Sequence, residues 1–224
     1  MLYELSVPIS CGTIRYDESI PTPRFRPFTS IQAGDINNQT EFSLFAHLGS
    51  HVDAPYHFCE TGKKIDEYEI DSFIFRKALL LDVETGKGGR ITAEQIRNQE
   101  GVSDADILLL HTGYSKYCFN ETVYRDDFPA LTKEAAVYIR EELPNLKAIA
   151  LDTMSADGTD GVHTNFANHH VLLDTRDDGV RALLIYENMD FTPVLGTEGF
   201  FSVYGIPLRL RGIEASPVTM VAEI

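Results

Sequence analysis

Four side chains able to bind a first-row metal fall within a single short run of this sequence: His47-Leu48-Gly49-Ser50-His51-Val52-Asp53-Ala54-Pro55-Tyr56-His57. The chain has 7 histidines in 224 residues, so uniform scatter would place only about a third of one in such a window. Imidazole and carboxylate without thiolate select a divalent ion, Zn2+ first, with Mn2+ or iron(II) as alternatives, over an iron–sulfur cluster or Cu+. The bland alternative is a cluster of surface or hydrogen-bonded histidines. Three of them in alternating register with an aspartate is not a usual surface composition.

The spacing also says what backbone must carry them. On a helix, at about 100° per residue, His47 and His51 share a face but Asp53 lies about 200° from His51. Gly49 and Pro55 oppose a helix as well. In an extended chain all four polar groups occupy odd positions and project to one side. The run is therefore expected to be a strand passing into an extended loop that presents His47, His51, Asp53 and His57 together. The small residues Gly49, Ser50 and Ala54 let the backbone approach the site closely.

Around this run the sequence alternates short apolar segments with helical ones. Segments 78–83, 107–110, 148–151, 182–186, 201–210 and 218–224 are strand-sized and bounded by Gly, Asp or Pro. Thr92-Ala93-Glu94-Gln95 reads as a capping box opening a short helix. Residues 131–143 carry apolar side chains at 131, 135, 139 and 143 and stop at Pro144, which predicts a second helix, and 166–173 a third. Three strands end in polar residues: His111-Thr112, Asp152, and Glu187-Asn188. Ligand sites in α/β sheets gather at such carboxyl ends, although simple emergence into solvent explains any single one equally well. The reading is a mixed α/β domain over residues 1–224, with no repeat, low-complexity tract or linker dividing it.

Composition removes several functions. Lys and Arg number 19 against 34 Asp and Glu, a net charge of −15, which repels phosphate backbones and anionic membrane surfaces. No apolar run approaches the ~18 residues of a membrane span. No basic-then-apolar segment opens the chain, so no signal peptide is expected. The cysteines Cys11, Cys59 and Cys118 are odd in number and lack a CxxC pair, which points away from a disulfide framework and toward a reducing cytoplasm. Nucleotide fingerprints, a P-loop and a Gly-x-Ser-x-Gly elbow are all missing.

Other candidates carry less. His111 reads as a hydrogen-bonded structural residue and His163, in the Asp/Gly-rich loop 157–164, as solvent-facing. That loop lacks the acidic spacing of a calcium hand. Cys59 reads as a small packing residue. Phe25, Phe28 and Tyr56 are equally suited to wall a pocket or to fill the core.

The His/Asp run resembles the His-x-Gly-[Thr/Ser]-His-x-Asp-x-Pro-x-His signature of the cyclase-like metal-dependent hydrolases, the family that includes bacterial kynurenine formamidase and isatin hydrolase. Supporting similarities extend along the chain: residues 62–66, Leu151-Asp152-Thr153-x-Ser155, His169-His170, Glu187-Asn188, Gly205-Ile206-Pro207-Leu208 and Ala215-Ser216-Pro217-Val218. The resemblance implies a swivelling β/β/α fold, a mixed sheet with few helices, and a homo-oligomer, dimer or tetramer. It implies a centre of one or two divalent ions. His47, His51 and Asp53 would hold the first; Asp53 would bridge to a second held by His169 and Glu187. His169 and His170 diverge by about 100° on a helix, so only one can face a given ion; the family pattern favours His169. His57 would be the catalytic acid/base. The implied chemistry is hydrolysis of an amide carbonyl of a small molecule by metal-activated water, in the manner of an arylformamidase. A hydrolase of a cyclic amide or lactone, or a non-catalytic metal or small-acid binder on the same fold, are the alternatives. The chain contains no tryptophan, a departure from the formamidases.

Overall fold

The apolar runs at the centre of the chain become strands because both of their faces are covered. The computed structural model describes residues 1–83 and 85–224. Its strands are β1 (Leu2–Glu4), β2 (Arg24–Thr29), β3 (Gln39–Ser43), β4 (His51–Asp53), β5 (Ile74–Asp82), β6 (Arg90–Ile91), β7 (Ile107–His111), β8 (Ala130–Leu131), β9 (Ala148–Leu151), β10 (Leu184–Glu187), β11 (Phe201–Pro207) and β12 (Ala215–Glu223). The helices are α1 (Ala93–Arg97), α2 (Glu121–Tyr124), α3 (Lys133–Glu142) and α4 (Ala167–Leu173).

Eight strands form one mixed sheet in the order β1-β12-β11-β5-β7-β9-β10-β4. Strands β5, β7, β9 and β10 run parallel, whereas β4, β11 and β12 are antiparallel to their neighbours. Strand β4 also pairs with β12, which closes the sheet into a ring. Alternation along β7 and β9 divides the core in two. Leu108, Leu110, Ile149 and Leu151 face outward to Ile96, Ala135, Ile139 and Leu172 on the helices. Ile107, Leu109, Ala148 and Ala150 face inward to Val52, Phe75, Val203 and Met220. Near-continuous apolar sequence is what a parallel strand covered on both faces requires. The outcome is the expected mixed α/β architecture with few helices. Among the described residues no helix is long and apolar enough to cross a membrane.

The local expectations are met with adjustments. Thr92 caps α1 through a reciprocal box, its Oγ1 accepting from Gln95 N at 3.3 Å while Gln95 Oε1 accepts from Thr92 N at 2.8 Å. The helix expected from residue 131 starts at Lys133. Thr132 Oγ1 accepts from Ala135 N at 3.1 Å and caps it, while Ala130 and Leu131 are drawn into a short parallel pairing with β6. The run 47–57 departs most from a continuous strand. Gly49 adopts φ +65°, where a Cβ would lie 2.8 Å from Ile9 Cγ1, and turns the chain. Only His51–Asp53 is strand, and Pro55–His57 winds into a 3-10 turn. Among the described residues, strands β2 and β3 pair only with each other, and they are exposed along almost their whole length.

Helix α4 is held at its end by a buried cation. Arg140 on α3 donates to Val171 O at 2.7 Å, Asp174 O at 2.7 Å and Val180 O at 3.1 Å. Truncation would orphan three carbonyls, and Arg140→Ala is expected to cost roughly 2–4 kcal/mol in urea denaturation. A loss under about 1 kcal/mol would mean that water replaces these bonds.

Candidate functional site

Pairing across β4 and β10 sets the centre of the site. In register, His51 lies opposite Glu187 and Val52 opposite Tyr186. Val52 therefore enters the barrel core while His51 and Asp53 emerge on the other face with Glu187. The result is His51 Nε2 at 3.4 Å from Glu187 Oε2 and at 3.4 Å from Asp53 Oδ1. The bend before β4 brings His47 Nδ1 to 2.8 Å from Asp53 Oδ1. From α4, His169 Nε2 reaches 3.6 Å from Asp53 Oδ2 and 3.4 Å from Glu187 Oε1. The 3-10 turn stacks His57 against His47, ring centroids 4.0 Å apart, and places it 5.8 Å from the His169 ring.

Each inner imidazole is held from behind. His51 Nδ1 lies 2.8 Å from Gly49 O, His169 Nδ1 2.6 Å from Asp157 Oδ2, and His47 Nε2 3.1 Å from Glu214 Oε1. These partners only accept, so each outer nitrogen carries a proton and the inner nitrogen is left to face the carboxylates, with a lone pair for a cation or with a second proton. Those inward nitrogens meet carboxylate oxygens. His51 Nε2 and both oxygens of Asp53 are buried without a hydrogen-bond partner, although ring nitrogens stand 2.8–3.6 Å from Asp53. Buried acceptors facing acceptors need positive charge between them. The donor set, neutral imidazole with carboxylate and with second-rank hydrogen bonds in place, fits a divalent ion of the zinc or manganese kind. Among the described residues, two triads have their ligand atoms mutually within 4.8 Å: His47, Asp53 and His57, and His51, Asp53 and Glu187.

The same geometry shifts the protonation of the cluster. Burial alone would push His47 down, but the Asp53 and Glu214 carboxylates hold it at about 10. Burial likewise opposes the charge on Asp53, yet the His47 and His51 imidazoles hold its carboxyl well below the usual range. His169 is raised by Asp157, Asp53 and Glu187 against the effect of burial. His57 goes the other way. Burial is the main cause, and the His47 and His169 imidazoles add to it, leaving His57 at about 4.

A cavity of about 690 Å3 opens over the cluster, walled by Tyr16, Phe45, Tyr56, Phe58 and Phe166. No lysine or arginine is among its described lining residues. All six site residues expected from the sequence therefore meet here: His47, His51, Asp53, His57, His169 and Glu187. His170 does not; it pairs with Asp174 at 3.0 Å, half-exposed. His111 bonds Asp82 at 3.2 Å away from the cavity, and His163 is exposed. Of the three aromatics, Tyr56 lines the cavity, whereas Phe25 and Phe28 lie exposed on the β2–β3 hairpin, which among the described residues pairs with no other strand. Cys59 belongs to no core cluster; it contacts Thr61 Oγ1 at 3.4 Å, and hydrogen bonds from Thr175 and Thr61 lower its thiol to about 7. Asp157 and Glu214 were not anticipated. Their only signal was an acidic residue in a Gly-rich loop and one just before Ala215-Ser216-Pro217.

Comparison with known proteins bears on the family and the fold. A family model described as "Putative cyclase" matches residues 3–158. A kynurenine formamidase of Bacillus mycoides is 29% identical over 220 residues, covering 97% of this chain and 95% of that protein. Isatin hydrolase A from Labrenzia aggregata, solved with benzyl benzoate, superposes with a TM-score of 0.83 at 19% identity, over 99% of this chain and 93% of that one. An isatin hydrolase bound to the product analogue thioisatinate gives a TM-score of 0.85 at 16% identity, over 100% and 92% of the two chains. At such identities the two solved structures speak to the fold.

The opposed shifts of the two stacked imidazoles can be read directly. In chelator-treated protein, NMR titration is expected to give midpoints of about 4 for His57 and about 10 for His47. Neither ring should change charge between about pH 5 and 9. A His57 midpoint at the ordinary value of about 6.5 would mean the ring is solvated rather than buried beside two imidazoles.

Proposed function

The chain belongs to the cyclase family, and on that premise we propose that it is a metal-dependent hydrolase that attacks the amide carbonyl of a small aromatic substrate and breaks its C–N bond, in the manner of an arylformamidase. The observation that carries this reading is the buried Asp53 carboxylate, both oxygens without a hydrogen-bond partner, ringed by inward-facing imidazoles.

His47, His51 and Asp53 would hold one divalent ion, Zn2+ in the first instance and Mn2+ otherwise. Asp53, His169 and Glu187 would hold a second. When bound, such ions supply Lewis-acid polarisation of a carbonyl and an acidified water. The protein's own groups do the rest. His57, uncharged at neutral pH because its protonation falls at about 4, has a lone pair free to take a proton and can return it to the leaving nitrogen. Phe45, Tyr56, Phe58 and Phe166 exclude water and present flat apolar surfaces to an aromatic ring. Ala156 N–H, donating to Glu187 Oε1 at 2.8 Å, keeps that carboxylate aimed inward.

We further place the protein in a reducing cytoplasm, in keeping with three unpaired cysteines, with neither nucleic acid nor membrane as a partner. We infer that residues 1–224 act as one domain within a homo-oligomer, dimer or tetramer. Apolar side chains bared on the hairpin, Phe25, Phe28 and Phe42, support the assembly. Light scattering is expected to return more than one chain per particle; a monomer at micromolar concentration would remove that part.

Metal analysis with a substrate panel tests the main reading. Purified protein should hold one or two divalent ions per chain, and His51→Ala should lose at least one. His57→Asn should keep its metal and lose about 10²–10⁴-fold in kcat on an N-formyl arylamine, a cyclic aryl amide or an aryl lactone. The substrate preferred among the three decides between formamidase and ring-opening chemistry. Protein that purifies without metal and cannot be reconstituted would end the proposal.

A further inference from the structure

The two ligands assigned to the second ion, Glu187 and His169, come from different elements, strand β10 and helix α4, yet two consecutive residues hold both. Ala156 donates its backbone N–H to Glu187 Oε1 at 2.8 Å. Asp157, buried at 3% exposure, accepts His169 Nδ1 on Oδ2 at 2.6 Å, and the same oxygen accepts His169 backbone N–H at 3.1 Å. Its other oxygen accepts Asn168 N–H at 3.0 Å. Asn168 closes the arrangement, its Nδ2 donating to Ala156 O at 3.0 Å and Leu131 O at 2.9 Å.

A histidine at a helix start can ordinarily present either nitrogen and swing about two side-chain torsions. Here one carboxylate oxygen grips both the backbone and the ring of the same residue, which removes that freedom. The outer nitrogen must carry the proton, and the inner one must face Glu187 Oε1 at 3.4 Å and Asp53 Oδ2 at 3.6 Å. The other anchors differ in kind. His51 leans on a neutral backbone carbonyl, and His47 on Glu214, whose side chain is 32% exposed.

We propose that Asp157 is a positioning residue that fixes His169 as an Nε2 donor, and that Ala156-Asp157 is the template setting the gap between the two ligands of the second ion. This rests on the metal reading above. An outer carboxylate behind a ligand imidazole typically governs metal affinity by about 10–100-fold.

The test compares Asp157→Asn with Asn168→Ala in the full chain. Asn168→Ala loosens the same segment while leaving the Asp157 carboxylate in place. Zn2+ affinity is measured by competition with a fluorescent chelator, and the buried imidazole N–H by its downfield proton resonance. Asp157→Asn is expected to weaken one ion about 10–100-fold, to leave the other within about twofold, and to move the resonance upfield, because an amide oxygen is a weaker acceptor than a carboxylate. Asn168→Ala should keep the resonance and bind both ions nearly as the parent does. Should Asp157→Asn fail to fold, Asp157→Ser, which retains a helix-capping oxygen, is read in the same way. Unchanged affinity in Asp157→Asn, or an equal loss in Asn168→Ala, overturns the proposal. If the parent protein takes up no divalent ion, the metal reading and the role toward an ion fall together; a resonance that does not move at all in Asp157→Asn then also removes the contact, a separate failure.

Discussion

Everything around the site follows from electron pairs that face one another out of water. Asp53 is fully buried, and both of its oxygens look toward ring nitrogens whose own protons are committed to partners behind them. Such an arrangement is unfavourable unless positive charge enters it. Protons supply that charge when nothing else does, which is why His47 and His169 are driven upward and Asp53 downward. A divalent cation would do the same, and would release those protons as it binds. His57 sits on the edge of this field and is driven the other way, so the cluster separates a charged core from one uncharged ring.

The fold places these groups by simple rules. Strand alternation sends Val52 into the barrel and His51 and Asp53 out of it, and antiparallel register sets Glu187 opposite His51. Helix α4 brings His169 over the top, pinned at its start by Asp157 and at its end by Arg140. The core beneath is split between helix-facing and barrel-facing side chains of the same strands. Strand pairing and hydrogen bonds thus hold the backbone on both sides of the cluster, in keeping with what a preorganised site needs.

Much of this was legible from spacing. His47, His51, Asp53 and His57 at odd positions predicted convergence, and they converge, although a glycine turn and a 3-10 turn replace most of the expected strand. Pattern reading sees periodicity, whereas Gly49 acts through a positive φ and a close approach to Ile9 that no periodicity encodes. His169 and His170 could be separated in principle by helix geometry, but the choice depended on which face of α4 meets the sheet, a tertiary fact. Asp157 and Glu214 were hidden for the same reason: an acidic residue in a loop is common, and only the fold shows that an imidazole sits in front of it. Phe25 and Phe28 illustrate the converse, since large apolar side chains suited to a pocket wall or to the core instead remain bare on a hairpin.

Strand β4 has three residues, and it is the piece that joins β10 to β12 and so completes the ring. Two of its three side chains belong to the acceptor cluster. The seam of the barrel and the chemistry of the protein are thus written into one short segment, and neither can be altered without the other registering it. By mass action, whatever occupies the cluster also clamps the seam. Evolution of new specificity on this scaffold is accordingly free to remodel the aromatic walls, while the seam itself stays under double obligation.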